Sequence, residues 1–216
     1  PPAGGEPKDI AAACNGLIEQ LAAPSNLTGG LCFPAVVTHG ITRSAANVSD
    51  AWIGLKAEKL FTKALGRNTH VLNDADAAGV AEMKFGAGRK AKGVTIMTTL
   101  GTGIGSALFL NKKLVPNTEL GHLDIGAIRD FEQYASFAQM EAEGLSFEQW
   151  AERLEIFYAH LERLFSPDLF IVGGGISKSH ESFLPLITTN APIVPATTRN
   201  AAGIIGAAAM AAKVLK

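Results

Sequence analysis

The feature that most constrains the fold is a glycine-rich segment between two apolar runs, TTLGTGIGSALF. The β-branched run Val94–Thr99 precedes Gly101-Thr102-Gly103-Ile104-Gly105, and a second apolar run covers Ala107–Leu110. Two such runs joined by a glycine turn predict a β-hairpin. In a dinucleotide-binding loop the glycines open a helix instead, so a Rossmann oxidoreductase is disfavoured.

Strands and helices alternate along the rest of the chain, which is typical of an α/β fold. Helices are predicted at Pro7–Leu21, Glu58–Leu65, from Ser146 and from Asn200. Strands are predicted at Val71-Leu72, Asp168–Val172, Ile193-Val194 and Gly30–Val37, the last one interrupted by Pro34, which implies an edge, a bulge or a chain turn. The helix from Ser146 has a capping box with Gln149. Its apolar residues recur every three or four positions and predict a core-facing stripe: Phe147, Trp150, Leu154, Phe157, Leu161 and Leu164.

Two glycine clusters are candidates for phosphate binding. Around Gly101, Thr102 and Gly103, successive backbone N–H groups can form an anion-binding concavity, although a plain hairpin turn is the alternative. The run Gly173-Gly174-Gly175 follows a strand and leads into an expected helix start. A helix N-terminus favours phosphate, while a tight strand–helix turn is about equally compatible with this cluster.

Polar residues that suit a sugar lie in the predicted loops. Asn73 and Asp74 follow a strand end, Glu119 and His122 follow the hairpin, and Asn47 lies near a tryptophan. Together they can form paired hydrogen bonds with neighbouring hydroxyls. Each has a structural alternative: Asp74 can cap its helix, His122 can be a buried structural histidine, and Asn47 can be a turn residue.

Composition excludes several classes of protein. The 216 residues carry a formal net charge of −1, which argues against a nucleic-acid partner. No apolar run reaches the roughly 18–20 residues of a membrane span. Cys14 and Cys32 fit no metal-ligand spacing, and two thiols in a chain of this length favour a reducing cytoplasm.

Several long motifs resemble the ROK group of sugar kinases and repressors. They are LNDADAAGVAEMKFGAG, TLGTGIGSALF, LVPNTELGHL, PDLFIVGGGISK and NAAGIIGAAAMA, in that order. The resemblance covers nearly the whole chain and is closest to the polyphosphate-dependent glucokinases and polyphosphate/ATP glucomannokinases of that group. No helix-turn-helix segment supports a repressor.

The resemblance implies an actin-like ATPase (ribonuclease H-like) fold of two lobes, with residues 1–73 and 199–216 in the small lobe and 74–198 in the large one. It makes the chain a hexose kinase in which Asp74 is the general base toward the 6-hydroxyl of glucose, or of mannose. The other hydroxyls would be held by Asn47, Asn73, Glu119 and His122. The phosphoryl donor would lie against Gly101, Thr102 and Gly103, with Gly173, Gly174 and Gly175 on the donor side.

The implied donor is polyphosphate, ATP or both, with Mg²⁺. Six cations are expected to flank the phosphate loop and to bind a polyanion: Lys84, Arg89, Lys90, Lys92, Lys112 and Lys113. Ordinary solvated charges are the alternative for each. The residues do not separate ATP from polyphosphate, and a homodimer is left open.

The sequence departs from the family pattern at two places. No cysteine follows His122, where many members carry a zinc motif, so we expect no structural zinc and name no metal ligand. We do not find the segment that opens the family's sequences, a strand followed by an Asp-x-Gly-Gly-Thr phosphate loop and a hairpin. The run Asp124-Ile125-Gly126-Ala127 matches that loop only in part, since it lacks the second Gly and the Thr. A sugar-binding, catalytically impaired module is therefore the alternative function.

Overall fold

A computed structural model of the chain describes residues 4–45 and 48–215. The helices are α1 (Pro7–Gln20), α2 (Ala57–Leu65), α3 (Asp74–Phe85), α4 (Glu132–Ala135), α5 (Phe137–Glu143), α6 (Phe147–Phe165) and α7 (Ala202–Val214). The strands are β1 (Gly29–Phe33), β2 (Val37–Thr38), β3 (Ile41–Thr42), β4 (Thr69–Asn73), β5 (Val94–Leu100), β6 (Ile104–Leu110), β7 (Lys113–Val115), β8 (Leu169–Gly173) and β9 (Ile193–Pro195). Within these ranges, every helix is too short or too polar to cross a bilayer.

The chain divides into two compact units. The first contains the described residues up to Ala77 together with those from Gly203 onward, and the second runs from Ala78 to Ala202. Both divisions fall four residues later than the lobe boundaries predicted from the sequence. The first turn of α3 therefore belongs to the first unit.

The first unit contains two small sheets. β1 and β4 are parallel, with Gly29 opposite Thr69 and Phe33 opposite Asn73, while β2 and β3 form an antiparallel pair. The predicted interruption of the strand over residues 30–37 is confirmed, because β1 ends at Phe33 and Pro34 follows. Proline has no N–H for the ladder, and the chain resumes pairing only in β2.

Close backbone packing holds α7 in the first unit. A Cβ on Gly30 would lie 2.2 Å from the carbonyl oxygen of Ala207, and one on Gly206 would lie 1.7 Å from that of Ala77. Only glycine permits such approaches. The small-residue sequence of α7 is therefore explained by its contacts with β1 and with the start of α3.

The second unit is built on a five-stranded sheet in the order β7-β6-β5-β8-β9. β5 pairs antiparallel with β6, which confirms the hairpin, and parallel with β8. The capping box of Ser146 and Gln149 is present, and four residues of the predicted stripe on α6 are fully buried: Trp150, Leu154, Phe157 and Leu161. The prediction for Leu164 was wrong: it is 53% exposed, because it lies in the last turn, beyond the buried positions.

Candidate functional site

Two glycine clusters lie side by side at one edge of the five-stranded sheet. β5 and β8 are parallel with Thr99 opposite Gly173, so the segments that follow both strands leave at the same edge. Gly174 has φ +87°, and a Cβ there would lie 2.2 Å from the carbonyl oxygen of Leu100. A side chain would therefore clash with the start of the hairpin turn. The carboxyl edge of parallel strands is where α/β proteins commonly bind ligands.

The hairpin turn offers backbone N–H groups. Gly101 N–H donates to the carbonyl of Gly103 at 3.0 Å, and Ile104 N–H donates to Oε2 of Glu132 at 2.9 Å. Within the described residues, the amides of Thr102 and Gly103 have no intramolecular acceptor. One N–H of the turn thus already binds a carboxylate oxygen, and two others remain open to an anion.

A helical segment starts at the second glycine cluster as predicted, but it is a 3₁₀ helix and not an α-helix. The segment Gly175–Ser182 forms 3₁₀ turns with a break at Ser179, where the backbone leaves helical geometry. The Ser177 hydroxyl donates to the carbonyl of Gly174 at 2.8 Å and fixes the first turn. Because the turns are short and irregular, a strong helix dipole cannot be assigned to this cluster.

The polar pair Glu119 and His122 lies beside the hairpin turn. Leu120–His122 form a 3₁₀ turn, and a Cβ on Gly121 would lie 2.2 Å from the carbonyl oxygen of Ile104. This close contact brings the pair to the same edge as the two glycine clusters. The second unit therefore gathers three of the predicted segments at one place.

Two carboxylates surround His122. Its Nδ1 lies 2.7 Å from Oδ1 of Asp130 and 3.9 Å from Oε1 of Glu132. The hydrogen bond with Asp130 is the main cause that raises the pKa of His122, against an opposing effect of partial burial; Glu132, Asp130 and Glu119 raise it further through their charges. With Nδ1–H donated to Asp130, the neutral ring keeps Nε2 as an acceptor.

Sequence reasoning missed Asp130 and Glu132. They lie eight and ten residues after His122 in a stretch that looks like an ordinary charged loop. The loop returns because the backbone N–H of Phe131 donates to the carbonyl of Leu123 at 3.0 Å. The presence of a carboxylate soon after His122 was the signal that the sequence offered. Only the path of the loop shows that Asp130 contacts His122.

The same three groups could in principle hold a metal ion. Each of the three side chains, His122, Asp130 and Glu132, offers one ligand atom, and these three atoms lie within 4.8 Å of one another. However, His122 and Asp130 are hydrogen-bonded to each other, and Glu132 accepts the N–H of Ile104, so they are satisfied without an ion. The expectation that the chain carries no structural zinc stays a prediction.

Asn73 and Asp74 lie where β4 ends and α3 begins, in the first unit. Oδ1 of Asn73 accepts the N–H groups of Ala75 at 2.8 Å and Asp76 at 3.1 Å, which is the pattern of a helix N-cap. The Nδ2 amide donates to the carbonyl of Ala35 at 3.3 Å. Asn73 is therefore the N-cap and accepts two of the free N–H groups of the first turn, whereas Asp74 accepts only one of them.

The carboxylate of Asp74 has a different environment. It accepts one hydrogen bond, from the N–H of Ala75 at 2.8 Å, and the residue is exposed. Even so, desolvation by neighbouring atoms raises the pKa of Asp74, while backbone hydrogen bonds partly oppose the shift. The exposure of Asp74 measures how much of the residue touches solvent, whereas its pKa depends on the protein atoms around the carboxylate oxygens. An exposed residue with a raised pKa is therefore consistent.

The other predicted residues, Asn47 and the six cations, do not join the groups described above. Asn47 lies outside the described residues. Of the predicted cations, Lys92, Lys112 and Lys113 adjoin the end of the hairpin where Val94 pairs with Leu110, which is opposite to the glycine turn. Arg89 lies at the same end, because its carbonyl accepts the ammonium of Lys112, and Lys90 follows it. The expectation that the cations flank the phosphate loop was therefore wrong for these five, because the strands separate them from the loop.

Comparisons with known proteins identify the family of the chain. The sequence profile of the ROK family matches residues 6–144. A polyphosphate glucokinase of Mycobacterium tuberculosis is 44% identical over 180 residues, which are 83% of this chain and 68% of that protein. The crystal structure of an inorganic polyphosphate/ATP-glucomannokinase from Arthrobacter sp. strain KM is 45% identical and superposes with a TM-score of 0.92, over 98% of this chain and 85% of that one.

A more distant structure shares the fold alone. The ROK family glucokinase of Streptomyces griseus, solved in complex with glucose and AMPPNP, is 24% identical with a TM-score of 0.78, over 99% of this chain and 89% of that one. These likenesses confirm the actin-like ATPase fold of sugar kinases. From the profile match and the identity with the mycobacterial enzyme, the chain belongs to the ROK family.

Proposed function

We propose that the chain is a hexose kinase that transfers a phosphoryl group from polyphosphate or ATP to the 6-hydroxyl of glucose, with mannose as a second acceptor. The observation that carries the proposal is the 44% identity to a mycobacterial polyphosphate glucokinase over 83% of this chain. The Arthrobacter glucomannokinase, at 45% identity, supports the two donors and the second sugar. A sugar-binding module without turnover is less favoured, because these relatives are kinases.

Asp74 is the proposed general base. Because Asn73 caps α3, the Asp74 carboxylate is not required for capping and keeps acceptor capacity. The sugar oxygen would form a bond to the terminal phosphorus as the bond from phosphorus to the donor oxygen breaks, and the hydroxyl proton would pass to Asp74. A raised pKa makes this carboxylate a stronger base than an ordinary aspartate.

Four polar side chains are the proposed ligands of the hexose hydroxyls. Nε2 of His122 can accept a sugar hydroxyl while Asp130 fixes the ring through Nδ1. Asn73 keeps one amide N–H beyond its bond to Ala35. Glu119 and Asn47 complete the proposed set of hydroxyl ligands.

The donor phosphates would bind at the shared glycine edge. The open amides of Thr102 and Gly103 supply donors to phosphate oxygens. Gly173–Gly175 would lie on the donor side, where a Cβ on Gly175 would meet nothing within 4 Å and the donor can approach the backbone closely. Phosphoryl transfer depends mainly on positioning and charge neutralisation. Mg²⁺ would come with the donor, since it binds mainly phosphates and waters and requires few protein ligands.

The proposal includes a cytoplasmic location. Cys14 and Cys32 are both free thiols, which fits a reducing compartment. A homodimer stays a prediction.

The test is an assay of glucose 6-phosphate with glucose, Mg²⁺ and either polyphosphate or ATP. Asp74→Asn should lower kcat by about 10²–10⁴-fold, because the amide cannot take the proton. Asp9→Asn is the matched control, since Asp9 also lies in the first turn of a helix. Glucose binding, measured by calorimetry, should persist in Asp74→Asn. Unchanged turnover in that variant would refute the base, and glucose binding by the unmodified chain without turnover would favour the sugar-binding module.

A further inference from the structure

A cluster of cations lies at the end of the hairpin that is opposite to the glycine turn. We call it the basic surface, and it consists of Arg89, Lys90, Lys92, Lys112 and Lys113, all exposed. Two hydrogen bonds between Gly93 and Asn111, at 2.8 and 3.0 Å, join the two segments that carry it. The ammonium of Lys112 also donates to the carbonyl of Arg89.

The charge of this surface is largely uncompensated. Residues 83–118 contain six of the 19 Lys and Arg residues and none of the 20 Asp and Glu residues. Asp168 contacts this end of the sheet, where its carboxylate accepts the N–H of Val94 at 2.7 Å. The ion pairs found among the described residues involve none of the five cations. Clustered like charges without partners favour a polyanion.

The basic surface is far from the proposed transfer site. β5 and β6 each have seven residues, so with a rise of about 3.4 Å per residue the two ends of the hairpin are about 20 Å apart. A triphosphate group bound at Gly101–Gly103 is too short to reach the basic surface. A long chain of phosphates can contact both.

The surroundings favour polyphosphate over a nucleic acid. Proteins that bind single-stranded nucleic acid combine cations with several aromatic rings for base stacking. Residues 83–118 contain two aromatic rings: Phe109 is buried, and Phe85 is a single ring, 54% exposed, with the Lys84 ammonium 5.3 Å from its centre. The basic surface thus offers charge without the several exposed rings that base stacking requires.

We infer that the basic surface is an anchoring site for the distal part of a polyphosphate chain whose terminal phosphate lies at the glycine turn. The inference rests on the proposed function and adds a determinant of donor length, since ATP and tripolyphosphate would not reach the anchor. Each neutralised phosphate releases counterions, so binding through this surface depends steeply on salt.

The test compares Lys90→Gln/Lys92→Gln/Lys113→Gln with wild type, and keeps Arg89 and Lys112, which bond to each other. Direct binding of fluorescently labelled long-chain polyphosphate should weaken at least about tenfold at low salt. The slope of log K against log salt should fall by about 2, because roughly 0.7 is lost per phosphate contact. With active protein, the ratio of KM for long-chain polyphosphate to KM for tripolyphosphate should rise by a similar factor.

The control is Lys59→Gln/Lys63→Gln, which removes two exposed lysines from α2. Equal weakening in this control, or unchanged polyphosphate binding by the triple variant, would overturn the anchor. Equal affinity for a single-stranded RNA homopolymer of the same charge would also overturn it, in favour of a general polyanion surface. Variant-sensitive polyphosphate binding by a chain without kinase activity would support the anchor while contradicting the proposed function.

Discussion

Replacement of the buried carboxylate Glu82 should destabilise the edge of the sheet where the glycine clusters lie. Glu82 is fully buried on α3, and Oε1 accepts the N–H groups of Thr197 at 2.9 Å and Thr198 at 2.6 Å. Oε2 accepts the N–H of Ala87 at 2.7 Å. Thr197 and Thr198 follow β9, so this carboxylate joins α3 to the loop at the carboxyl end of that strand.

The contacts give the size of the effect. In Glu82→Gln, an amide oxygen can keep the bonds to Thr197 and Thr198, but the NH₂ group then faces the N–H of Ala87. One hydrogen bond to a charged acceptor, worth about 1.5–3 kcal/mol, is lost, and the others weaken because the acceptor is now neutral. We expect the free energy of unfolding to fall by about 2–4 kcal/mol. Glu82→Ala should cost more, since three backbone N–H groups lose their acceptor.

Urea unfolding followed by circular dichroism measures this change. The matched control is Glu152→Gln, an exposed glutamate on α6, which should change the free energy of unfolding by no more than about 0.5 kcal/mol. If Glu82→Gln were as stable as this control, the carboxylate would not be holding the loop, and the reasoning from its hydrogen bonds would be wrong.

Two further predictions concern His122 and Gly174. The bond to Asp130 raises the pKa of His122 above its ordinary value of about 6.5, so the pair stabilises the fold fully below that pH and the contribution is lost as pH rises through the folded-state pKa. Titration of His122 by NMR should show that pKa falling in Asp130→Asn; an identical pKa in both proteins would contradict the pairing. Gly174→Ala should lower the free energy of unfolding by at least about 1–3 kcal/mol, because φ is +87° and the new Cβ would meet the carbonyl of Leu100. Gly175→Ala, whose Cβ would meet nothing within 4 Å, should be tolerated in the same urea measurement, and equal stability of the two variants would count against the clash.

Local signals in the sequence predicted most elements correctly. Ser146 and Gln149 predicted the start of α6, and α2 ends at Leu65, the predicted residue, where Gly66 has φ +61°. Such signals succeed because caps and left-handed glycines act on the backbone within one turn. The hairpin was predictable for the same reason, since its strands and turn are adjacent along the chain.

Errors arose where the outcome depends on distant partners. The periodicity of α6 could not show that its buried face ends before Leu164. The glycine run at residues 173–175 gave no indication that 3₁₀ turns follow it. Likewise, the cations were predicted near the glycine turn because they flank the hairpin along the chain. The register of β5 and β6 places the cations around residues 92 and 112 at the end of the hairpin opposite to that turn.

The sequence by itself determined the α/β class, the hairpin, the helix starts and the resemblance to sugar kinases, because each depends on neighbouring residues or on motifs read in order. Only the tertiary structure decided that Asn73 rather than Asp74 caps α3, and that Asp130 meets His122. Both outcomes depend on the direction in which a side chain points after the chain has folded back. That direction is set by packing and backbone geometry, which residue spacing does not encode.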